Sequence, residues 1–272
     1  MAATTAATDR TAQTAEMVHR LQGRHARRVN IAGKVIAIVG LFALWFVLSI
    51  LVRPWVPTPE ATAMAMYRLL GSAAFYGDLG LTLMRVLAAF VAATLVGSIL
   101  GIAVGLSKRA EAFFQPLLAV GLAVPDPVYI IFAILAVGVG EGAGFVALTI
   151  ALTPFVSNIV RSSVHARDAT LDEMVKVYRI APWRAFRDSL FPQLIPALVT
   201  AARFSFALSW KLVVVVEAIG QPDGIGAAIF QAFNLLRMRE MLALAILFIV
   251  LMQVLERGVV AQIERRALSW RR

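Results

Sequence analysis

Two sets of charged residues stand out from a mostly apolar chain. The first lies in LDEMVKVYRIAPWRAFRDSLFPQLIP, Leu171 to Pro196, where Asp172 and Glu173 precede Lys176 and Arg179. A break is expected at Ile180-Ala181-Pro182, and a second short helix is expected to end at Phe191-Pro192. Such a charged, amphipathic segment between long apolar runs suits a docking element facing the cytosol, one that offers ion pairs and hydrogen bonds to a partner protein. The second set lies within the apolar runs themselves: Asp126 between Pro125 and Pro127, and then Arg203, Ser209, Lys211 and Glu217. A carboxylate or a base at that depth is costly unless it is paired or lines a watery path, so these residues are candidates for a translocation pathway. Asp126 has two readings, a pathway or gate residue and a structural partner for Arg85, Arg203 or Lys211. On a helix Arg203 and Lys211 stand about 80° apart and Arg203 and Glu217 about 40°, so the three favour one side. That side is expected to face the protein interior, where it either attracts an anionic solute or forms salt bridges between helices.

Catalysis has little support. The chain has no cysteine, so neither a disulfide framework nor a thiolate metal site can form, and His19, His25 and His165 are scattered in or beside polar segments. No phosphate-binding G-x-x-x-x-G-K-[ST] loop occurs, and no nucleophile, base or metal-ligand cluster lies at one depth.

The elements that must position these groups are membrane helices. Of the 272 residues 60% are hydrophobic and 15% charged, and the mean hydropathy is +0.80, beyond what a soluble domain of this length carries. Runs long enough to cross a bilayer, about 20 residues, extend over Val35 to Val52, Leu79 to Leu106, Leu117 to Gly138, Ala143 to Val160, Leu194 to Val216 and, shorter, Met241 to Leu255. The fold class expected is therefore an all-α integral membrane protein with six transmembrane helices, both termini on one side, and a cytosolic loop at 161–192 between spans 4 and 5. A net charge of +10 would suggest nucleic acid in a soluble protein. Here position decides its meaning. With the N-terminus inside, the inner segments hold 19 Lys+Arg in 92 residues and the outer loops 4 in 56. The positive-inside rule then fixes both termini in the cytosol, with no role for nucleic acid.

Residues 1–34 form a basic tail that does not resemble a signal peptide. Arg20, Arg24, Arg27 and Arg28 in it fit either an amphipathic helix on anionic lipid or a disordered arm. Residues 35–272 are expected to be the membrane domain. After Pro54, Pro57 and Pro59, a short external helix is expected over Ala61 to Leu70. Gly97, Gly101 and Gly105 recur every fourth residue on one helix face and predict a close-packing seam, within the monomer or between subunits. Val124-Pro125-Asp126-Pro127 predicts a kink or break in the third span.

From about Gly77 to Arg272 the chain resembles the transmembrane permease subunits of bacterial ATP-binding-cassette importers of the nitrate, taurine and alkanesulfonate type. The resemblance rests on Leu81 to Phe90, Gly97, Gly101, Gly105, Leu106-Ser107, the turn Gly138-Val139-Gly140-Glu141, and the cytosolic signature from Glu173 to Pro192 and Pro196. Ala202-Arg203, Trp210, Val215-Val216-Glu217, Gly224-Ile225-Gly226 and Ile263 to Trp270 extend it. It implies a coupling helix at Leu171 to Arg179, with Asp172, Glu173, Lys176, Arg179 and Pro192 in contact with the ATPase. It also implies two ATPase subunits that bind ATP and Mg, a second permease subunit, identical or not, and an external solute-binding protein. The chain itself would bind no cofactor or metal and would not be an enzyme. Its cargo would be a small anion or organic sulfonate, although relatives in the broad group also carry pyrimidine-like vitamin precursors. The signature departs from the family at Met174 and Val175, where small residues are usual, and at Arg179, where the family has glycine. Glycine there would permit a positive φ, so Arg179 is expected to force a different turn, aided by Pro182. The competing reading from the residues alone is a self-sufficient secondary carrier, which should show an inverted repeat and broken helices in both halves.

Overall fold

The computed structural model of the chain describes residues 33–260, with side chains through Gly258. The basic tail and the terminal Ile263 to Trp270 motif lie outside the described residues. What is described falls into two units, one ending at Ala63 and one beginning at Met64.

In the first unit, α1 (Gly33–Leu51) is long and apolar enough to span, with almost all of its apolar side chains exposed. The segment that follows is tied back to it by Trp45, whose Nε1 donates to the Pro57 carbonyl at 3.1 Å. Then comes α2 (Pro59–Leu70), which starts two residues before the sequence expectation, with Pro at its first position, where no N–H is needed.

The second unit continues with α3 (Ala73–Leu106), α4 (Lys108–Ala123), α5 (Asp126–Val137), α6 (Glu141–His165) and α7 (Ala169–Val177). After these come α8 (Pro182–Gly220), α9 (Ile225–Asn234) and α10 (Met238–Leu255). No strand occurs among the described residues. Five helices of the described chain are long and apolar enough to span, and a sixth crossing is made only if the bent pair α4–α5 counts as one.

The register of α3 against α6 fixes the topology. A Cβ on Gly97 would fall 2.6 Å from Val156 Cβ, and one on Gly105 the same distance from Val164 Cβ. Eight residues forward on α3 thus match eight forward on α6, so the two helices run parallel. Between them α4 and α5 must carry the chain back across. The pair is bent by 109° at Val124-Pro125. Thus the expected span Leu117 to Gly138 is not one helix. Proline confines the residue before it to extended backbone, and Val124 sits at φ −69°, ψ 128°. Pro125 then caps α5, and Pro127 occupies its first turn, where a missing donor costs nothing. The Tyr129 hydroxyl donates to the Gly121 carbonyl across the bend.

In a bilayer, lipid tails are as apolar as leucine, so helices associate through close packing rather than through exclusion of water. The glycine seam supplies that packing within the chain. At Gly101 the backbone of Ser157 comes so near that a Cβ would lie 2.6 Å from its carbonyl oxygen. The Ser157 hydroxyl donates to the Gly97 carbonyl at 3.0 Å. Val86, Ala89, Leu148, Val213, Ile225 and Met252 carry the core on through α8, α9 and α10. α9 lies in a segment expected to be a loop. Its start is set by Gly224 at φ 97°, which no side chain could follow comfortably.

Two further differences concern the charged segment. The second short helix does not end at Phe191-Pro192. It runs on unbroken as α8 through a π-turn, Phe186–Leu190, in which the Phe191 N–H reaches back to the Phe186 carbonyl. The wider turn lets a helix absorb Pro192, which has no N–H to give. Likewise α6 extends five residues past Val160, to His165.

Candidate functional site

The parallel α3 and α6 and the returning α8 define two ends of the unit, and polar groups gather at both. At the first end Arg85 sits on α3, Glu141 opens α6, Glu217 lies near the end of α8, and Asp223 is in the turn after it. Arg85 is 8% exposed and Glu217 0%. The guanidinium donates from Nε to Glu141 at 2.9 Å and from Nη1 to Glu217 at 2.8 Å. It also reaches the Asp223 carbonyl at 2.9 Å, and Nη2 pairs with both Glu141 and Asp223. Glu217 in turn accepts from the Thr82 hydroxyl at 2.9 Å and from the Gly226 N–H at 2.8 Å. These bonds leave the buried carboxylate fully partnered, and arginine is the side chain with enough donors to bridge three acids. Gly224 has no room for a side chain, since its Cβ would lie 2.5 Å from the Glu217 carboxyl carbon. A cavity of about 220 Å³ opens beside Arg85 and Glu141, but its other walls, including Met84, Ala88, Phe145 and Leu148, are apolar. This end is a scaffold that ties four segments together.

The expectation for the pathway residues divides accordingly. Glu217 faces the interior, in the Arg85 network. Ser209 is buried too, with its hydroxyl donating to the Ser205 carbonyl of the preceding turn at 2.7 Å. Arg203 and Lys211, by contrast, are exposed on this chain. The three charged positions therefore do not share one packed side, because Lys211 and Glu217 lie about 120° apart around the helix. Asp126 is exposed as the first residue of α5, where the positive end of the helix favours a carboxylate. Arg85, one of the bases considered for it, is committed elsewhere.

At the second end, α7 hangs between α6 and α8. The Asp168 side chain caps it, accepting from the Thr170 N–H at 2.8 Å. None of its nine residues is buried. Glu173, Met174, Lys176, Val177, Tyr178 and Arg179 are exposed, with Val177 at 77% and Tyr178 at 74%. A helix with one exposed apolar stripe flanked by charges is incomplete by itself and suits a groove on another protein. Asp172 contributes less to that surface than expected, because Arg167 holds it at 2.6 Å. Pro192 is half-buried inside α8, away from the exposed stripe.

Arg179 contradicts the sequence expectation. It adopts φ 50°, the left-handed conformation that a glycine would take. The Ile180 N–H bonds the Val175 carbonyl at 3.1 Å and the Arg179 N–H the Lys176 carbonyl at 3.2 Å, a complete Schellman cap. The two cap hydrogen bonds outweigh the strain of a Cβ in this region, about 1 kcal/mol. Arg179→Gly should therefore raise the thermal midpoint of the purified chain by about 2–4 °C. An unchanged or lower midpoint would show that Arg179 is not strained there.

From the sequence Asp126 is the acid considered for Arg85, whereas its partners in the structure are Glu141, Glu217 and Asp223. Among the described residues no group of acids and histidines could hold a metal ion.

With this geometry in place, the relatives are informative. Residues 93–268 match the family model described as binding-protein-dependent transport system inner membrane component. The nitrate import permease protein NrtB of Synechocystis is 29% identical over 73% of this chain and 76% of its own length. The taurine transport system permease protein TauC of Escherichia coli (strain K12) is 22% identical over 90% of this chain and 91% of its own. SsuC of Bacillus subtilis (strain 168), provisionally named an aliphatic sulfonates transport permease protein, is 26% identical over 85% and 84%. Among solved structures, a chain of an amino acid ABC transporter with histidines aligns with a TM-score of 0.61 at 22% identity, covering 75% of this chain and 97% of that one. A chain of the inward-facing MetNI methionine ABC transporter gives 0.59 at 20%, covering 72% and 99%. These likenesses establish a shared fold.

Proposed function

The chain belongs to the binding-protein-dependent transport system inner membrane components, and on that premise we propose how it works within an importer and what it carries. As a member of that family it is the multi-span permease subunit of an ATP-binding-cassette importer, and the reading as a self-sufficient carrier is set aside.

The partners and orientation follow as our reading. Two copies of a separate ATPase, binding ATP and Mg, dock on the end that carries α7. A second permease subunit completes the solute path, and an external solute-binding protein delivers cargo to the end that carries the Arg85 network. The termini are assigned to the cytosol, a reading that the distribution of Lys and Arg supports. The observation that carries this reading is α7 itself, a short capped helix with an exposed apolar stripe and no buried residue, held between two spans. Closure of the ATPases on ATP would push α7 and rock α6 and α8, switching the side to which the path opens.

The cargo we assign is a small oxyanion or organic sulfonate. Arg203 and Lys211, exposed on α8, supply positive potential along a path that a second subunit would enclose. Asp126, at the broken span, stands where a zwitterion's ammonium group or a gate would meet it. The reading is tested by uptake of radiolabelled taurine, an alkanesulfonate and nitrate into proteoliposomes holding the permease, its ATPase and the binding protein. ATP-dependent uptake of one of these anions is the expected result. Uptake of none, with the complex assembled and hydrolysing ATP, would reject the cargo class.

A further inference from the structure

The coupling helix is attached in an unexpected way. α7 buries none of its residues and packs extensively against no other helix of the described chain. Nine residues are too few to keep a helix directed by its own propensity. Its orientation is therefore fixed by what holds its ends. At the N-terminal end, Arg167 donates to the Val164 carbonyl at 3.0 Å and pairs with Asp172. Both of these bonds stay within the strand of chain that leaves α6.

Among the described residues, one side-chain hydrogen bond reaches this end from α8. Gln193 Oε1 accepts the backbone N–H of Asp168, the capping residue of α7, at 2.9 Å. The same amide is held from behind, its Nε2 donating to the Ser189 carbonyl at 3.0 Å. Ser189 belongs to the π-turn, so the irregular turn and the clasp are one device: the amide is anchored on the π-turn and grips the start of α7.

We propose that Gln193 is the positioning residue that makes α7 and α8 move as one body, a proposal that rests on the reading of α7 as the coupling helix. Without the clasp, a push on the N-terminal end of α7 is passed to α6 alone. α8 would then be driven only through the turn 178–181 at the other end. With it, residues 168 to 193 close into a ring, and both spans receive the same displacement.

The absence of native cysteine makes the test direct. Spin labels at Thr170→Cys, on the exposed start of α7, and Ile219→Cys, on the exposed far end of α8, report the distance between the two bodies. The full chain is measured in lipid nanodiscs, alone and with its co-purified ATPase trapped by ATP and vanadate. The parent pair should give one narrow distribution. Gln193→Met keeps length and bulk but loses the acceptor, and should broaden the distribution at least about twofold. Gln193→Glu keeps the acceptor for the Asp168 N–H but gives up the donor to the Ser189 carbonyl, and should recover part of the narrowing, a rescue that simple loss of packing would not show. Equal widths for the parent and Gln193→Met would overturn the proposal. So would a Gln193→Glu chain that is folded yet as broad as Gln193→Met. If the parent chain binds no ATPase, the coupling-helix reading fails instead, and the widths in the chain alone still decide whether the clasp exists.

Discussion

Replacing Arg85 with alanine is expected to leave almost no folded protein in a mild-detergent extract. The substitution strips Glu141, Glu217 and Asp223 of their common partner at once. The three do not suffer equally. The Glu141 side chain is 61% exposed and can be hydrated, whereas Glu217 has no exposed surface. A buried carboxylate that has lost its counterion costs about 3–5 kcal/mol, against a total stability of about 5–15 kcal/mol for a typical domain. Arg85→Lys should not rescue, since an ammonium cannot present a planar fork to acids on three segments. Arg85→Met combined with Glu217→Leu should recover part of the loss, because removing both buried charges spares either one from being left alone. Fluorescence-detected size-exclusion with a melting series gives the order: parent, double variant, Arg85→Ala. If Arg85→Ala melts with the parent, the network does not hold the fold.

Gly101→Val should be nearly as damaging, for a steric reason. Its Cβ would meet the Ser157 carbonyl oxygen at 2.6 Å and Val160 Cβ at 2.9 Å. The first of these is backbone and cannot swing aside, so α3 and α6 must separate along their most extensive interface. Overpacking of this kind costs about 3 kcal/mol, and more when a backbone has to move. Gly80→Val on the same helix is the control, with nothing within 4 Å of the added Cβ. Thermal midpoints of the two variants should differ clearly. Equal midpoints would mean that the glycine seam is not a tight contact.

These results bear on how much of the molecule can be read from its residues. Spans, the glycine face and the charged α7 are local patterns, carried by apolar length and by spacing along one helix, and they were legible. The Arg85 network was not. Its acids lie 56, 132 and 138 residues away along the chain, and a charge in an apolar run signals that a partner exists without saying which. The proline pair at 125 and 127 announced a break, but the 109° turn depends on what α4 and α5 pack against. Arg179 misled, because the residue type argued against a positive φ while the cap hydrogen bonds enforced it. Pro192 misled in the opposite direction. A proline after a short helix reads as a stop, yet a π-turn carries the helix through. The Gln193 clasp had no sequence signal at all, since glutamine within a helix is ordinary and its partner is a backbone N–H.

Docking of a separate ATPase on α7 is tested most directly by co-purification. The permease is co-expressed with candidate ATPases and purified in mild detergent, as the parent chain and as Glu173→Arg. Glu173 is exposed and makes no ion pair among the described residues, so its reversal should spare the fold while placing a repulsive charge in the contact. The account predicts an ATPase retained by the parent and lost from Glu173→Arg, with the permease eluting as folded protein in both. An ATPase bound by neither, with the chain alone moving solute into liposomes, would contradict it.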